Sequence, residues 1–241
     1  MAAADFHIQA VVFDLDDTLF RERDYVRSGF SAVGQHLRGQ LHSRVDFEGW
    51  MWRRFLAGRR EKMFDALSRH FRLGLKQAAI RRLVELYRRH RPRIRPCRGV
   101  EELLGSLRRR RVKLGLLSDG YLPAQRLKLS AAGLERHFHA VVFTEEMGRS
   151  AWKPSPAGFV RIRRRLGAPA AACAYVADNP AKDFLAPNQL GWLTVQWRRA
   201  GQLHADNPAP DGGKPRRVVR SGPELMRVLL DRCRGGQRRG P

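Results

Sequence analysis

The chain has 241 residues, 47 of them Lys or Arg against 23 Asp or Glu, giving a formal net charge of +24, with 43% hydrophobic and 29% charged residues. That length accommodates one ordinary domain with a second small module, and that apolar content excludes wholesale disorder. No stretch approaches the roughly 18 consecutive apolar residues of a spanning helix and no signal-type segment opens the chain, so the expectation is a cytoplasmic protein with no membrane partner.

Cys97, Cys173 and Cys233 are odd in number and too widely spaced for zinc ligation, in keeping with a reducing compartment. Seven lysines stand against forty arginines spread over nearly the whole length. That spread reads as a compositional preference more than a designed patch, although weak, nonspecific association with polyanions is expected from the charge alone. The densest runs are Arg108, Arg109, Arg110 and Arg111, and then Arg161, Arg163, Arg164 and Arg165. Both lie near the ends of predicted helices, where cations complement the macrodipole.

In chain order, residues 8–13 are apolar and β-branched and then break into Asp14, Asp16, Asp17 and Thr18, which predicts a buried strand ending in a loop. Residues 20–90 carry helical spacings of large apolar groups, with turns expected around Gly39, Gly58 and Gly74. Its aromatic residues read as core. A return linker holds Pro92, Pro96 and Gly99. The strand pattern recurs at 112–117, before Ser118, Asp119 and Gly120; at 140–143, before Thr144, Glu145 and Glu146; at 173–177, before Asp178, Asn179 and Pro180; and at 192–197. Helices are predicted at 100–109, 124–132 and 156–166, the last with Ser155 as N-cap and Pro156 at its first position. Residues 201–214 predict a loop, 223–230 a short amphipathic helix and 232–241 a disordered basic tail.

Strands alternating with helices predict an α/β fold, a Rossmann-like doubly wound parallel sheet, interrupted by an all-α insert. The expected division is an α/β core over 1–19 and 93–200, a helical insert over 20–92 and a C-terminal extension over 201–241. In such sheets ligands bind beyond the carboxyl ends of the strands, where all four polar runs emerge.

The strand ends bring together Asp14 and Asp16, Ser118, Lys153, and Asp178 with Asp183. Four carboxylates and one ammonium would total −3, a crowding that implies a cation, and hard oxygen ligands suit Mg²⁺. Two carboxylates one residue apart, as at Asp14 and Asp16, can divide the labour of covalent phosphoryl transfer: one attacks and the other handles the proton.

The motifs DLDDTLF at 14–20, LLSDG at 116–120, WKPSP at 152–156 and YVADNPAKDF at 175–184 make the sequence resemble the haloacid dehalogenase superfamily of hydrolases, over residues 8–197. The helical insert sits where subfamily I of that superfamily places its type 1 cap. The resemblance implies Asp14 as the nucleophile that forms an aspartyl-phosphate and as a metal ligand. It implies Asp16 as the proton donor to the leaving oxygen and then the base for water, with its backbone carbonyl on the metal. Thr18 would brace the loop, Ser118 would hydrogen-bond a phosphate oxygen and Lys153 would offset the charge on nucleophile and phosphate. Asp178 and Asp183 would hold Mg²⁺ directly or through water, and backbone N–H groups near Leu15, Asp16, Asp119 and Gly120 would complete a phosphate cradle.

One departure is Ala177, where the family usually has Gly. Asp16 points to phosphate chemistry, since the dehalogenating members lack an acid there. The resemblance thus implies a Mg²⁺-dependent phosphomonoesterase acting on a small phosphorylated metabolite, such as a sugar phosphate or a nucleotide. The alternatives are a phosphomutase of the same superfamily and a nucleic-acid-binding or polynucleotide-end phosphatase protein. A closing cap of about 70 residues would exclude a long polymer.

Overall fold

The structure is a computed structural model that describes residues 8–231. Six strands form one wholly parallel sheet: β1 (Ala10–Phe13), β2 (Lys113–Ser118), β3 (Ala140–Phe143), β4 (Cys173–Ala177), β5 (Leu193–Trp197) and β6 (Arg217–Val219), in the order β3-β2-β1-β4-β5-β6. The central strand β1 pairs Val12 with Gly115 of β2 on one side and with Tyr175 of β4 on the other. Its four residues AVVF are all buried because both faces of the sheet are covered, which is why the strand reads as an unbroken apolar run.

Alternation along the strands divides the core into two layers. Val11, Phe13, Leu114, Leu116 and Val176 pack with α5 (Val100–Arg109), α6 (Leu122–Ala131) and α9 (Gly222–Asp231). Ala10, Val12, Leu117, Tyr175 and Ala177 pack with α7 (Ala157–Leu166) and α8 (Leu185–Gln189). This is the doubly wound arrangement that the strand and helix alternation predicts.

Between β1 and α5 lie four helices, α1 (Glu22–Leu41), α2 (Phe47–Leu56), α3 (Met63–His70) and α4 (Gln77–Arg89). Their aromatic residues are interior: Phe30 meets Phe55 edge-on with centroids 6.1 Å apart, and Phe47 meets Phe71 at 5.0 Å. At Gly29, α1 approaches α4 so closely that a Cβ would stand 2.5 Å from the Tyr87 ring. The chain passes between sheet and insert twice, and the two passages are tied by the Cys97 N–H donating to the Leu19 carbonyl at 2.8 Å and by a bridge between Phe20 and Pro96.

Several boundaries differ from the sequence-based expectation. Gly39 lies inside the last turns of α1 and makes no turn, since α1 runs on to Leu41 and ends at His42 in the left-handed region. α6 begins at Leu122, earlier than expected, with Pro123 in its first turn, where a missing N–H costs nothing. Pro156 precedes α7 as its N-cap, and Ser155 Oγ accepts only a 3.4 Å bond from the Ala157 N–H. β6 went unforeseen because Arg217, Val218 and Val219 form a three-residue edge strand without an apolar run. The expected tail over 232–241 and Cys233 lie outside the described residues. Among the described residues, no helix is long and apolar enough to cross a membrane.

Candidate active site

Asp14 follows β1 directly and its N–H donates to the Val176 carbonyl of the neighbouring strand at 3.0 Å, so the sheet fixes its backbone. Its carboxylate is buried, and Oδ1 accepts from Lys153 Nζ at 2.5 Å. No hydrogen bond among the described residues holds Oδ2. Burial pushes the Asp14 carboxyl up to about 7 against the pull of Lys153, with Asp183 adding to the rise.

Lys153 also reaches Asp183 Oδ1 at 2.7 Å and the Tyr175 hydroxyl at 3.0 Å. Burial works against the lysine charge, but Asp14 and Asp183 hold its pKa well above the usual lysine value. Asp183 is itself saturated: Oδ1 takes Lys153 and the Tyr175 O–H, and Oδ2 accepts the Asn179 N–H at 3.1 Å. Asp178 is the opposite case. Its buried Oδ2 has no partner, and desolvation, followed by the nearby Asp183 and Asp14 charges, raises its pKa well above the carboxylate range.

Asp16, on the loop after β1, accepts from Lys128 Nζ at 2.7 Å, and that ammonium lies 4.2 Å from the Tyr25 ring centroid. Asp17 adopts φ 53°, and its carboxylate is spent on backbone: Oδ1 accepts the Glu22 N–H at 2.8 Å and Oδ2 the Leu203 N–H at 2.7 Å. Thr18 departs from the expected brace. Its Oγ1 is buried without a hydrogen-bond partner, and the loop is secured instead through the Thr18 carbonyl, which accepts from Arg199, and through Asp17.

Ser118 closes β2 and its hydroxyl donates to Gln125 Oε1 at 3.1 Å. The adjoining Gly120 has φ 121°, a conformation that favours glycine, and a Cβ there would stand 2.6 Å from Gln125 Nε2 and displace the amide that accepts from Ser118. Asp119 Oδ1 accepts from Thr144 Oγ1 at 2.8 Å and from the Lys153 N–H at 3.3 Å, while Oδ2 faces Lys182 at 3.4 Å. Burial opposes its ionisation, yet Lys153 and Lys182 hold its pKa below the ordinary value. The Asp119 side chain therefore ties three strand-end loops together.

Gln125, Lys128 and Tyr175 escaped the sequence reading because each lies within an ordinary helix or strand pattern, Lys182 because it sits among the acids of its loop, and Thr144 was placed at a strand end without a role. One signal existed: lysine is scarce in this arginine-rich chain, and three of the seven, Lys128, Lys153 and Lys182, converge here.

Five carboxylates, Asp14, Asp16, Asp119, Asp178 and Asp183, against those three ammonium groups would total −2 if all were ionised, and the raised pKa values of Asp14 and Asp178 reflect that crowding and their burial. The orphaned Asp178 Oδ2 beside a raised Asp14 fits a divalent cation. Among the described residues no three acidic, His or Cys side chains form a metal cage. That donor set suits Mg²⁺, which commonly takes one or two carboxylates and completes its shell with waters and substrate oxygens.

A pocket of about 330 Å³ is lined by Val26, Phe30, Phe64 and Leu203, with Glu22, Arg60 and His204 as its polar members. The loop after β5 supplies Leu203 and His204, and Gln196 secures the loop by donating to the Asp178 and Ala205 carbonyls, both at 2.8 Å.

A family model of the haloacid dehalogenase-like hydrolases matches residues 8–191, which include every acid and lysine just described. The chain belongs to the haloacid dehalogenase-like hydrolases. Among relatives in this family of hydrolases, the glyceraldehyde 3-phosphate phosphatase of Methanopyrus kandleri is 29% identical, covering 93% of this chain and 98% of its own length. The phosphoserine phosphatase of Thermus thermophilus is 29% identical over 85% of this chain and 94% of its own. The crystal structure of a HAD phosphatase from Thermococcus onnurineus superimposes with a TM-score of 0.60, at 25% identity, over 96% of this chain and all of that one. Ala177, at the position where the family usually has Gly, is buried at the end of β4 paired with Gln196 and has no positive φ, so its methyl group costs the backbone nothing.

Proposed function

We propose that this haloacid dehalogenase-like hydrolase is a Mg²⁺-dependent phosphomonoesterase that acts on a small phosphorylated metabolite through an aspartyl-phosphate on Asp14. The observation that carries the reading is the division of labour between the two aspartates. Asp14 is buried with one oxygen on Lys153 and the other free of hydrogen bonds, while Asp16 stands apart on its own lysine, Lys128.

In this reading Asp14 Oδ2 attacks phosphorus and the ester P–O bond breaks, with Asp16 giving its proton to the departing alkoxide. Water then attacks the acyl-phosphate, Asp16 takes its proton, and phosphate leaves with Asp14 restored. Lys153 and the Ser118 hydroxyl, which without substrate donate to Asp14, Asp183, Tyr175 and Gln125, would turn to the phosphoryl oxygens, with the Asp119 and Gly120 N–H groups completing the cradle. Asp183 keeps Lys153 and the Asp178 loop in place. Asp14 and Asp178, with the Asp16 carbonyl, would hold Mg²⁺, which when bound supplies positive charge to the phosphoryl oxygens.

The helical insert acts as the cap, and the pocket of about 330 Å³ between it and the loop after β5 takes the leaving group. Its size suits a metabolite and not a polymer. Support comes from the relatives, which are phosphatases of small phosphorylated molecules by name, and from Asp16, whose acid has no task in dehalogenation. The test is phosphate release over a panel of sugar phosphates, nucleotides and phosphoamino acids with Mg²⁺. At least one turns over, and chelation stops it reversibly; turnover undiminished in excess chelator contradicts the metal, and no release from any member contradicts the activity.

A further inference from the structure

A second cavity of about 330 Å³ opens where the chain passes between sheet and insert, and it is strongly basic. Arg21 comes from the outward passage, Arg95 and Arg98 from the return, and Arg199 from the loop after β5. Among the described residues Arg21, Arg95 and Arg98 have no ion pair and no side-chain hydrogen bond. Two acids share the cavity. Asp17, with both oxygens on backbone N–H groups, and Asp24 are two carboxylates set against four guanidinium groups.

Arg199 is the innermost of the four. It stacks on Trp197 with its guanidinium carbon 4.1 Å from the ring centroid, and its Nη2 donates to the Thr18 and Asp17 carbonyls. Its Nη1 is buried and has no partner. A buried guanidinium N–H left unpaired is unfavourable, and such a group in a native fold calls for an unseen partner. Burial works against the Arg199 charge, Asp17 and Asp178 favour it, and Arg21 opposes it, so a bound anion would add to the favourable side.

From this geometry we infer that the cavity is a binding site for a small phosphate or diphosphate anion, separate from the catalytic pocket. Guanidinium forks pair bidentately with phosphate oxygens, and four of them around room for roughly eleven waters exceed what one phosphate needs. The bound anion would link both passages to the loop that carries Asp14 and Asp16, because Arg199 holds that loop at Thr18.

The test is calorimetric titration with inorganic phosphate and, separately, with pyrophosphate, at fixed ionic strength and without added metal. Native protein is compared with Arg95→Gln/Arg98→Gln and with Arg108→Gln/Arg109→Gln, which removes the same charge elsewhere. Arg95 and Arg98 are exposed, so the fold survives their loss. The expected result is a binding equivalent in native protein and in the second variant that weakens at least tenfold in the first. A tighter fit for pyrophosphate marks a diphosphate occupant, and equal or tighter binding of phosphate marks the single anion. Identical isotherms in all three proteins, or equal loss in both variants, overturn the site. Because the catalytic pocket is itself proposed to hold phosphate, the loss confined to Arg95→Gln/Arg98→Gln, read without turnover, is what reports this cavity.

Discussion

Lys153 donates to two buried aspartates, while Lys128 donates to a third, and the two lysines thus assign the acids of the site to different work. Replacing Asp14 with Asn substitutes a poor nucleophile and removes the ion pair with Lys153; turnover is expected to fall roughly 10³-fold or more. Asp16→Asn should cost about 10²–10⁴-fold through lost proton transfer. Lys128→Gln leaves Asp16 present but unheld, and kcat is expected to drop by up to about 10²-fold, with a lowered melting temperature because a buried ion pair is broken. Steady-state kinetics and a thermal melt check all three. A Lys128→Gln protein with native kcat would remove Lys128 from the account. At this scale the sequence was legible where a residue ends a strand, as at Asp14, Ser118 and Asp178. It was opaque where a helix interior turns a polar side chain inward, as at Gln125 and Lys128, because burial there is a property of the packing.

At the scale of elements, the contact between α1 and α4 depends on the missing side chain at Gly29. Gly29→Ala drives a methyl group to 2.5 Å from the Tyr87 ring, an overpacking that typically costs about 1–3 kcal/mol, and the melting temperature should fall accordingly. The loop after β5 is joined to the start of α1 by His204 Nε2 and Glu22 Oε2 at 3.4 Å. The hydrogen bond to Glu22 raises the His204 pKa above its unfolded value of about 6.5. Its stabilisation is therefore fully present below that pH and is lost as pH rises through the raised pKa. The melting difference between native and His204→Gln protein should be larger at pH 6 than at pH 9, and an equal difference contradicts the pairing. The five longer strands and the helical insert were readable because burial on two faces writes apolar runs and amphipathic packing writes helical spacing. β6 and the placement of residues 202–205 against the Asp17 loop and the insert were not, since an edge strand and a loop leave no periodic signal.

Over the whole molecule, the charge of +24 raises the question of a nucleic-acid partner. Arg108 and Arg109 sit in the last turn of α5, with Arg110 as its C-cap, and Arg111 follows before β2, at the end of that strand remote from Ser118. At physiological ionic strength a charge a strand length away is largely screened. Neutralising all four should leave turnover of a small substrate nearly unchanged, and a terminally phosphorylated oligonucleotide should be a far poorer substrate than the best small one. Efficient release from oligonucleotide ends that disappears with those arginines would reverse that reading. The measurement that bears most directly on the central claim is a rapid acid quench during turnover, followed by mass analysis of the peptides. The covalent route predicts one phosphoryl group on the peptide that holds Asp14, and none in Asp14→Asn. Full turnover with no phosphoryl group on that peptide at any time point would contradict it.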